Sequence, residues 1–504
     1  MAMSEQRVPS VLAPAPIPVQ ASAGPAEQLL LPTERPRGWA LLTQERPRPE
    51  RIRGKSWAWR LAVAAVCFGA FMGQLDASIV TLTYQSLGTA FHAGPAAVEW
   101  VSLSYLLVLI ALLVPAGRFS DVHGRKLMYL YGFAVFTAGS AACGLAPGLG
   151  ILVAFRIVQA VGAALMQANS VALVSTSAPS GKMRAALGMQ AAGQAIGLAL
   201  GPTIGGALVA TVGWRWVFLI NVPVGIVALV AGHYLLPRTR QGLGTAGVDA
   251  VGVLLLGAAS TAAMLGLSIS SGLGLPVWTA AVLFAAAVGA GWAFVRRQRG
   301  HTVPLIDLKL LRPGGIAPGL VGGLCGYLVL FGPLVLVPVV LARHGGTALE
   351  AGLVLTALPL GFALAATLGD RLLPSDWSDR TRCTAGAAGC VVALGLLAAL
   401  PMTSEVLPVP LALLGVALGV FTPANNTLVM RAIPGASAGT GGGMVNMGRG
   451  MGTALGVAAV TLTLHLLPGA AGARTVAMVL LAFALLALAM SRSRSGSGSG
   501  RGRA

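Results

Sequence analysis

Apolar residues in this chain neither alternate, as in a half-buried strand, nor form the one-sided stripe of a helix lying on a soluble core; they come in long blocks. Between Trp57 and Met490, apolar stretches of about 20 residues recur, each long enough as a helix to cross a hydrocarbon core of about 30 Å. Charges, prolines and glycine clusters divide them. Cutting at these breaks predicts fourteen helices, near 60–84, 98–117, 127–147, 150–174, 185–210, 216–236, 248–268, 276–296, 315–341, 350–373, 384–401, 406–431, 441–467 and 472–490. Lipid offers no partner to an open strand edge, so the expected fold class is all-α integral membrane. Residues 1–56 are rich in Pro, Ala and Arg and lack the continuous apolar core of a secretion signal, while 491–504 carry Ser-Arg and Ser-Gly repeats; both read as disordered cytoplasmic tails.

With 56% hydrophobic and 10% charged residues, against about 25% charged in a soluble domain, the chain cannot turn its surface to water. A net charge of +19 on a soluble domain would suggest nucleic acid, but its placement argues against that partner. An even helix count puts both termini on one side. If that side is the cytoplasm, 29 Lys and Arg fall in inner segments and three, Arg215, Arg343 and Arg474, in outer loops, with Arg156 and Arg449 inside helices. This is the positive-inside bias, which a missed or added helix would scramble. The five cysteines form no CxxC pair and indicate neither a disulfide framework nor a metal site.

The sequence also repeats itself. Residues 188–201, GMQAAGQAIGLALG, align without gaps on 443–456, GMVNMGRGMGTALG, with seven of fourteen positions identical and an offset of 255. Upstream, Ala168-Asn169-Ser170 and Pro179 have counterparts in Ala424-Asn425-Asn426 and Pro434. The offset pairs helix 4 with 12 and helix 5 with 13. The chain then divides into a six-helix half over 57–240, an inserted two-helix hairpin over 241–300, and a second six-helix half over 301–490. Repeated halves suit alternating access, with a site between them near the midplane. Glycines 193, 197, 201 and 205, copied at 448, 452 and 456, form stripes that let backbones approach closely; Pro202 removes a helix hydrogen bond and is expected to bend its helix.

The segment after helix 2, Gly117-Arg118-Phe119-Ser120-Asp121-Val122-His123-Gly124-Arg125-Lys126, resembles the GxLaDrxGrk signature of the major facilitator superfamily. Arg156-Ile157-Val158-Gln159-Ala160-Val161-Gly162 in helix 4 is similar to that family's RxxQGxG, with Ala160 in place of the first glycine. Helix 5 carries Gly197 to Gly206, which resembles the GxxxGPxxGG antiporter motif ending in Gly201, Pro202, Gly205 and Gly206, with Gly193 one turn earlier. Leu75-Asp76-Ala77-Ser78-Ile79-Val80 and Trp214-Arg215-Trp216-Val217-Phe218-Leu219-Ile220-Asn221-Val222-Pro223-Val224-Gly225 are similar to segments of the fourteen-helix drug:proton antiporter branch. The chain departs from that branch at Thr81, Gln85 and a degenerate Gly369-Asp370-Arg371 after helix 10. The resemblance implies a fold of two six-helix halves plus the central hairpin. It also implies that the segment holding Gly117, Arg118, Asp121, Gly124, Arg125 and Lys126 latches the cytoplasmic side in the outward-facing state.

Asp76 is the one carboxylate placed well inside the membrane; the other acids fall in tails, loops or near helix ends. A charge at such depth costs at least roughly 2.5–3.5 kcal/mol, so it is a functional candidate. Arg156 keeps its charge and needs a partner. Asp76 is the candidate for proton coupling with it, as a pair that forms in one state and breaks in the other or as a static structural pair. Gln159, Gln194, Asn425 and Arg449 are candidates for the substrate cavity, where Arg449 either meets an anionic group or caps backbone carbonyls. Asp121 has a physical reading of its own: it lies where it can meet backbone N-H groups at the start of helix 13, freed by Gly439, Gly441, Gly442 and Gly443.

The expected function is proton-coupled antiport, exporting small amphipathic molecules such as drugs, antibiotics or secondary metabolites across a bacterial cell membrane. The expected protein is a monomer that couples to protons and uses no cofactor. Import or facilitation of a small metabolite is the nearest alternative, and a membrane sensor or receptor the next. No HExxH, paired-carboxylate or Ser-His constellation appears among the helices, so an enzyme is not expected. Arg outnumbering Lys, with abundant Ala and Gly, suggests a GC-rich bacterial genome.

Overall fold

The computed structural model describes residues 45–52, 55–239, 249–270, 276–301, 304–311, 316–345, 347–467 and 469–493. Fourteen long helices account for most of them. They are α1 (Ala58–Phe91, with a 3-10 turn at Val80–Thr83), α2 (Pro95–His123), α3 (Arg125–Gly144), α4 (Leu149–Ser177), α5 (Met183–Thr211), α6 (Arg215–Leu235), α7 (Ala250–Ser270), α8 (Val277–Gly300), α9 (Ala317–Arg343), α10 (Ala348–Leu372), α11 (Asp379–Ala399), α12 (Pro408–Arg431), α13 (Ala438–Leu466) and α14 (Ala470–Ser493). The expected tail segments 1–44 and 494–504, and the linker 240–248, lie outside the described residues.

Apolar length located the helices, but not their ends. Helix α1 runs on to Phe91, and α2 continues through Asp121 to His123, so the expected loop after it shrinks to Gly124. That residue has φ 106°, a region that disfavours L side chains, and it separates α2 from α3. Likewise α10 carries Gly369-Asp370-Arg371 inside its last turn. Thr347 and Ser378 start α10 and α11 by accepting from the amides of Glu350 and Thr381. Helix α5 is continuous through position 202.

Thirteen of the helices are apolar enough to count as membrane spans from length and composition. The fourteenth, α13, is not among them, because its first half holds Thr440, Asn446, Arg449 and a run of glycines. All of those residues but Gly448 and Gly450 are buried against neighbouring helices. A helix walled in by protein has no need of an apolar surface.

Helix pairs at the two copies of the repeat make similar contacts. Helix α5 packs along α1, and α13 along α9. A Cβ on Gly197 would come within 2.4 Å of the Phe71 carbonyl oxygen, and one on Gly452 within 2.2 Å of that of Leu324. These equivalent stripes set how closely each helix pair approaches. The halves meet where α2 packs on α13 and α5 on α10. In the inserted hairpin, α7 lies against α2 and α13 and thus along this seam, while α8 packs on α7 and leaves Trp278, Val288 and Trp292 exposed, an apolar face suited to lipid.

One expectation needs correcting. Residues 45–52 are not free tail. The buried Glu45 carboxylate accepts from the Leu127 amide and the Thr239 amide and hydroxyl, and Lys126 Nζ donates to the Arg46 carbonyl at 2.8 Å. Arg48 Nε adds a bond to the Leu235 carbonyl at 2.7 Å, so the segment is docked through Glu45, the Arg46 carbonyl and Arg48 at the ends of α3 and α6.

The hairpin is pinned by Asp249, which accepts from the Gly252 amide (3.0 Å), Arg297 Nε (2.8 Å) and Gln298 Nε2 (2.8 Å), with His301 Nε2 at 3.8 Å. Burial works against its ionised form, but the hydrogen bonds and the Arg297 charge outweigh it and hold the carboxyl below the usual Asp range. A carboxylate lowered on folding stabilises the fold above its unfolded value of about 3.9, and that contribution is lost as pH falls through the lower folded value. Asp249→Asn is therefore expected to cost about 1.5 kcal/mol at neutral pH. In thermal unfolding, the gap between variant and wild type should close as the pH drops below the ordinary Asp range.

Candidate functional site

Asp76 is fully buried in the first half. Its Oδ2 accepts from Arg156 Nη1 at 2.8 Å, and its Oδ1 from Gln159 Nε2 at 3.0 Å and Asn221 Nδ2 at 3.1 Å. Ser140 Oγ accepts from the same two amides and donates to the Phe218 carbonyl, so helices α1, α3, α4 and α6 are tied together by one network. Arg156 also donates to Gln159 Oε1 (2.7 Å) and the Val101 carbonyl (3.0 Å), and its guanidinium lies 4.1 Å from the Tyr105 ring centre. Every donor aimed at Asp76 suits an ionised carboxylate. The charge survives away from water because it is both paired and hydrogen-bonded.

A cavity of about 560 Å³ lies between the halves. Arg156, Gln194, Tyr327, Asn446 and Arg449 line it, with Leu106, Leu109, Met264, Phe331 and Val335 among its apolar walls. Its lining reaches Tyr84 and Glu99, near the C-terminal end of α1 and the N-terminal end of α2. Gly73, Gln74, Ala77 and Ser78 of α1 face it, whereas Asp76 points the other way, behind Arg156. The volume and the mix of broad apolar wall with few polar groups suit a drug-sized amphipathic molecule.

At the ends that bear the basic loops, expected from those charges to face inward, the halves close on each other. Asp121 accepts from the Gly439 amide, the Thr440 amide and the Thr440 hydroxyl, each at 2.8 Å, and Arg125 Nε adds a fourth bond at 2.8 Å. Arg125 Nη2 reaches the carbonyls of Gly435 and Ala436. Gly117 fits under α13, since a Cβ there would meet the Gly439 carbonyl oxygen at 2.3 Å. A second clasp sits at the equivalent place in the other half: Arg184 of α5 bridges Asp370 (2.5 Å) and Asp379 (2.6 Å), with Arg382 and Arg431 on the same carboxylates. The repeat offset aligns Arg184 with Gly439. One half thus offers backbone amides to an acid, and the other a guanidinium.

Breaking the first clasp should open the inner face. Asp121→Asn replaces charge-assisted bonds worth about 1.5–3 kcal/mol each with neutral ones. Ala172, fully buried beside Gly442, is the reporter. In a cysteine-free background, labelling of Ala172→Cys by an impermeant maleimide from the inner side is expected to speed up roughly tenfold with Asp121→Asn; an unchanged rate would mean that this contact does not hold the face shut.

The sequence-derived candidates fall into groups. Asp76, Arg156 and Gln159 come together, with Gln159 in the buried network rather than in the cavity lining. Gln194 and Arg449, equivalent positions of the repeat, meet at 3.4 Å in the cavity, as residues near the axis relating two halves should. Asn425 does not join them; its side chain donates to the Gly319 carbonyl and ties α12 to α9. In the antiporter motif, Gly193, Gly197, Gly201 and Gly205 face α1, while Gly206 faces open space. Among the signature residues, Lys126 is buried and holds the carbonyls of Arg46 and Leu236, and Arg118 is half-buried beside Ile433 and Ser437. The sequence reading passed over Asn221, Ser140, Tyr105 and Tyr327, and of these only Asn221 lay in a motif it had marked.

Two helical halves closed at one face around a central cavity define a transporter. The Major Facilitator Superfamily profile matches residues 66–457, and the chain belongs to that family. It is similar to the tetracenomycin C resistance and export protein of Streptomyces glaucescens, 36% identical over 61% of this chain and 57% of that protein, so it spans little more than half of that relative's length. The multidrug resistance protein Stp of Mycobacterium tuberculosis is 31% identical over 79% of this chain and 74% of its own. The riboflavin transporter RibZ of Clostridioides difficile is 28% identical over 79% and 86%. Among solved structures, the human organic anion transporter MFSD10 shares the fold, with a TM-score of 0.64, 18% identity and coverage of 86% of this chain and 99% of that one. The family and these relatives are transporters, not enzymes.

Proposed function

We propose that this chain is a proton-coupled antiporter that exports small amphipathic molecules, with Asp76 and Arg156 as the coupling pair. The observation that carries the reading is the fully buried Asp76–Arg156 pair, 2.8 Å apart, set directly behind the wall of the central cavity. With the inner face shut and the cavity lining running outward, Asp76 takes a proton from water that reaches it from outside once Arg156, which keeps its own charge throughout, shifts aside. Neutralising the carboxylate frees Arg156 and loosens α1 from α4 and α6, which favours the inner-open state. Substrate entering from inside then restores the ion pair as the proton leaves. Because Asp76 faces away from the cavity, substrate and proton are coupled through α1 and Arg156 rather than by competing for one carboxylate.

Two relatives named for resistance support export. The same reading puts the protein in a bacterial cytoplasmic membrane with both termini cytoplasmic, supported by the basic loops on one side and the bacterial relatives, and takes the single chain as the transporting unit. The similarity to RibZ favours a second reading, transport of a metabolite, and the direction of coupling decides between them. In liposomes with an imposed pH gradient, an antiporter drives substrate against the proton flow and stops when an uncoupler collapses the gradient. Substrate moving with the protons would establish symport and reject export.

A further inference from the structure

The cavity carries a charge that the proton chemistry does not use. Its charged lining residues are Glu99, Arg156 and Arg449. Arg156 is paired with Asp76, and Glu99 lies half-exposed toward the outer end of the cavity. Arg449 is 5% exposed, and its Nη1 donates to Asn446 Oδ1 at 3.0 Å and Gln194 Oε1 at 3.4 Å. Its Nη2 is buried with no hydrogen-bond partner among the described residues. Tyr327 donates to Gln194 at 2.8 Å, holds its ring 5.2 Å under the guanidinium, and is stacked with Phe331 at 6.4 Å.

We propose that Arg449, held by Gln194, Asn446 and Tyr327, is an anion subsite, a donor to its ligand, that selects amphipathic organic carboxylates over cations. The inference rests on the transport reading above and names its substrate class. A buried guanidinium without a counter-charge is expensive, and a ligand carboxylate supplies what is missing: an acceptor for Nη2 and a balancing charge. The neutral partners on Nη1 orient the guanidinium without cancelling its charge. The Tyr327–Phe331 stack beside it receives a flat ring, and the apolar wall the remainder. An organic cation placed there would meet Arg449 with no carboxylate between them. Exporting an anion in exchange for a proton also moves net charge, so an inside-negative voltage should drive it in addition to the pH gradient.

The test uses the full chain in nanodiscs and three probes of one shape: naphthalene-2-carboxylate, naphthalene-2-carboxamide and 2-naphthylmethylammonium. Wild type is expected to bind the carboxylate at least roughly tenfold tighter than either other probe. Arg449→Gln should erase that preference, weakening the carboxylate far more than the carboxamide, while an unshifted thermal-unfolding midpoint reports an intact fold. Arg449→Lys should keep part of the preference, because it retains charge but not the fork, and it serves if the Gln variant does not fold. Equal binding of carboxylate and ammonium by wild type, no binding of any probe, or a carboxylate preference that survives in Arg449→Gln would overturn the proposal. Wild-type proton release on adding the ammonium but not the carboxylate would overturn the subsite and leave antiport standing. Carboxylate binding lost in Arg449→Gln without any proton movement in wild type would keep the subsite and overturn antiport.

Discussion

Asp76→Asn is expected to abolish gradient-driven transport, reducing it to background, while substrate exchange without a gradient persists. Asparagine keeps the size of the side chain, but its single oxygen can accept either from Arg156 or from Gln159 and Asn221, leaving its amide NH2 against the remaining donors, and it cannot take up or release a proton. It also leaves Arg156 buried at 1% exposure without a counter-charge, and removing one partner of a buried pair typically costs about 3–5 kcal/mol. The variant should therefore be less stable as well as uncoupled. Adding Arg156→Gln separates the two effects. The double variant should regain much of the stability, because no orphan charge is left, and should remain uncoupled. Restored coupling in the double variant would show that the pair is structural and that the proton travels elsewhere.

The second large effect concerns packing. Gly197→Val is expected to abolish transport and destabilise the protein by several kcal/mol, whereas Gly206→Val in the same helix leaves both near wild type. At Gly197 even a Cβ would lie 2.4 Å from the backbone oxygen of Phe71, and a helix backbone cannot step aside as a long side chain can. At Gly206 nothing lies within 4 Å. Phe71 is on α1, about one turn before Asp76, so a wedge there displaces the helix that carries the carboxylate. Thermal unfolding and export rates of the two variants, measured side by side, check the contrast. Equal tolerance at both sites would mean that α1 and α5 are not held in register by the stripe.

The number and order of the helices were legible because hydrocarbon imposes a length and an apolar composition on whatever crosses it. Their ends were not, since α1 and α2 run past the apolar region into ground where polarity no longer distinguishes helix from loop. Asp76 and Arg156 stood out as charges at a depth where charges are costly. Asn221, Ser140 and Tyr105 carry no such mark, because a neutral polar residue reveals its role only once the face it occupies and the helix opposite are known. The second clasp was hidden for a related reason. Arg184 reads as one more basic residue at an inner loop, and Asp370 sits in a degenerate copy of the signature; only the packing of α5 on α10 brings them to 2.5 Å. The repeat carried more than expected, since its 255-residue offset gave both the equivalent glycine interfaces and the meeting of Gln194 with Arg449.

The central claim is that a proton on Asp76 is exchanged for substrate. It is tested most directly by proton release from liposomes carrying the purified protein and a pH gradient, on adding substrate, with wild type and Asp76→Asn compared. Substrate-triggered proton movement in wild type that vanishes in Asp76→Asn is the predicted result. Substrate flux in wild type that moves no protons and ignores the gradient would contradict it and leave a facilitator.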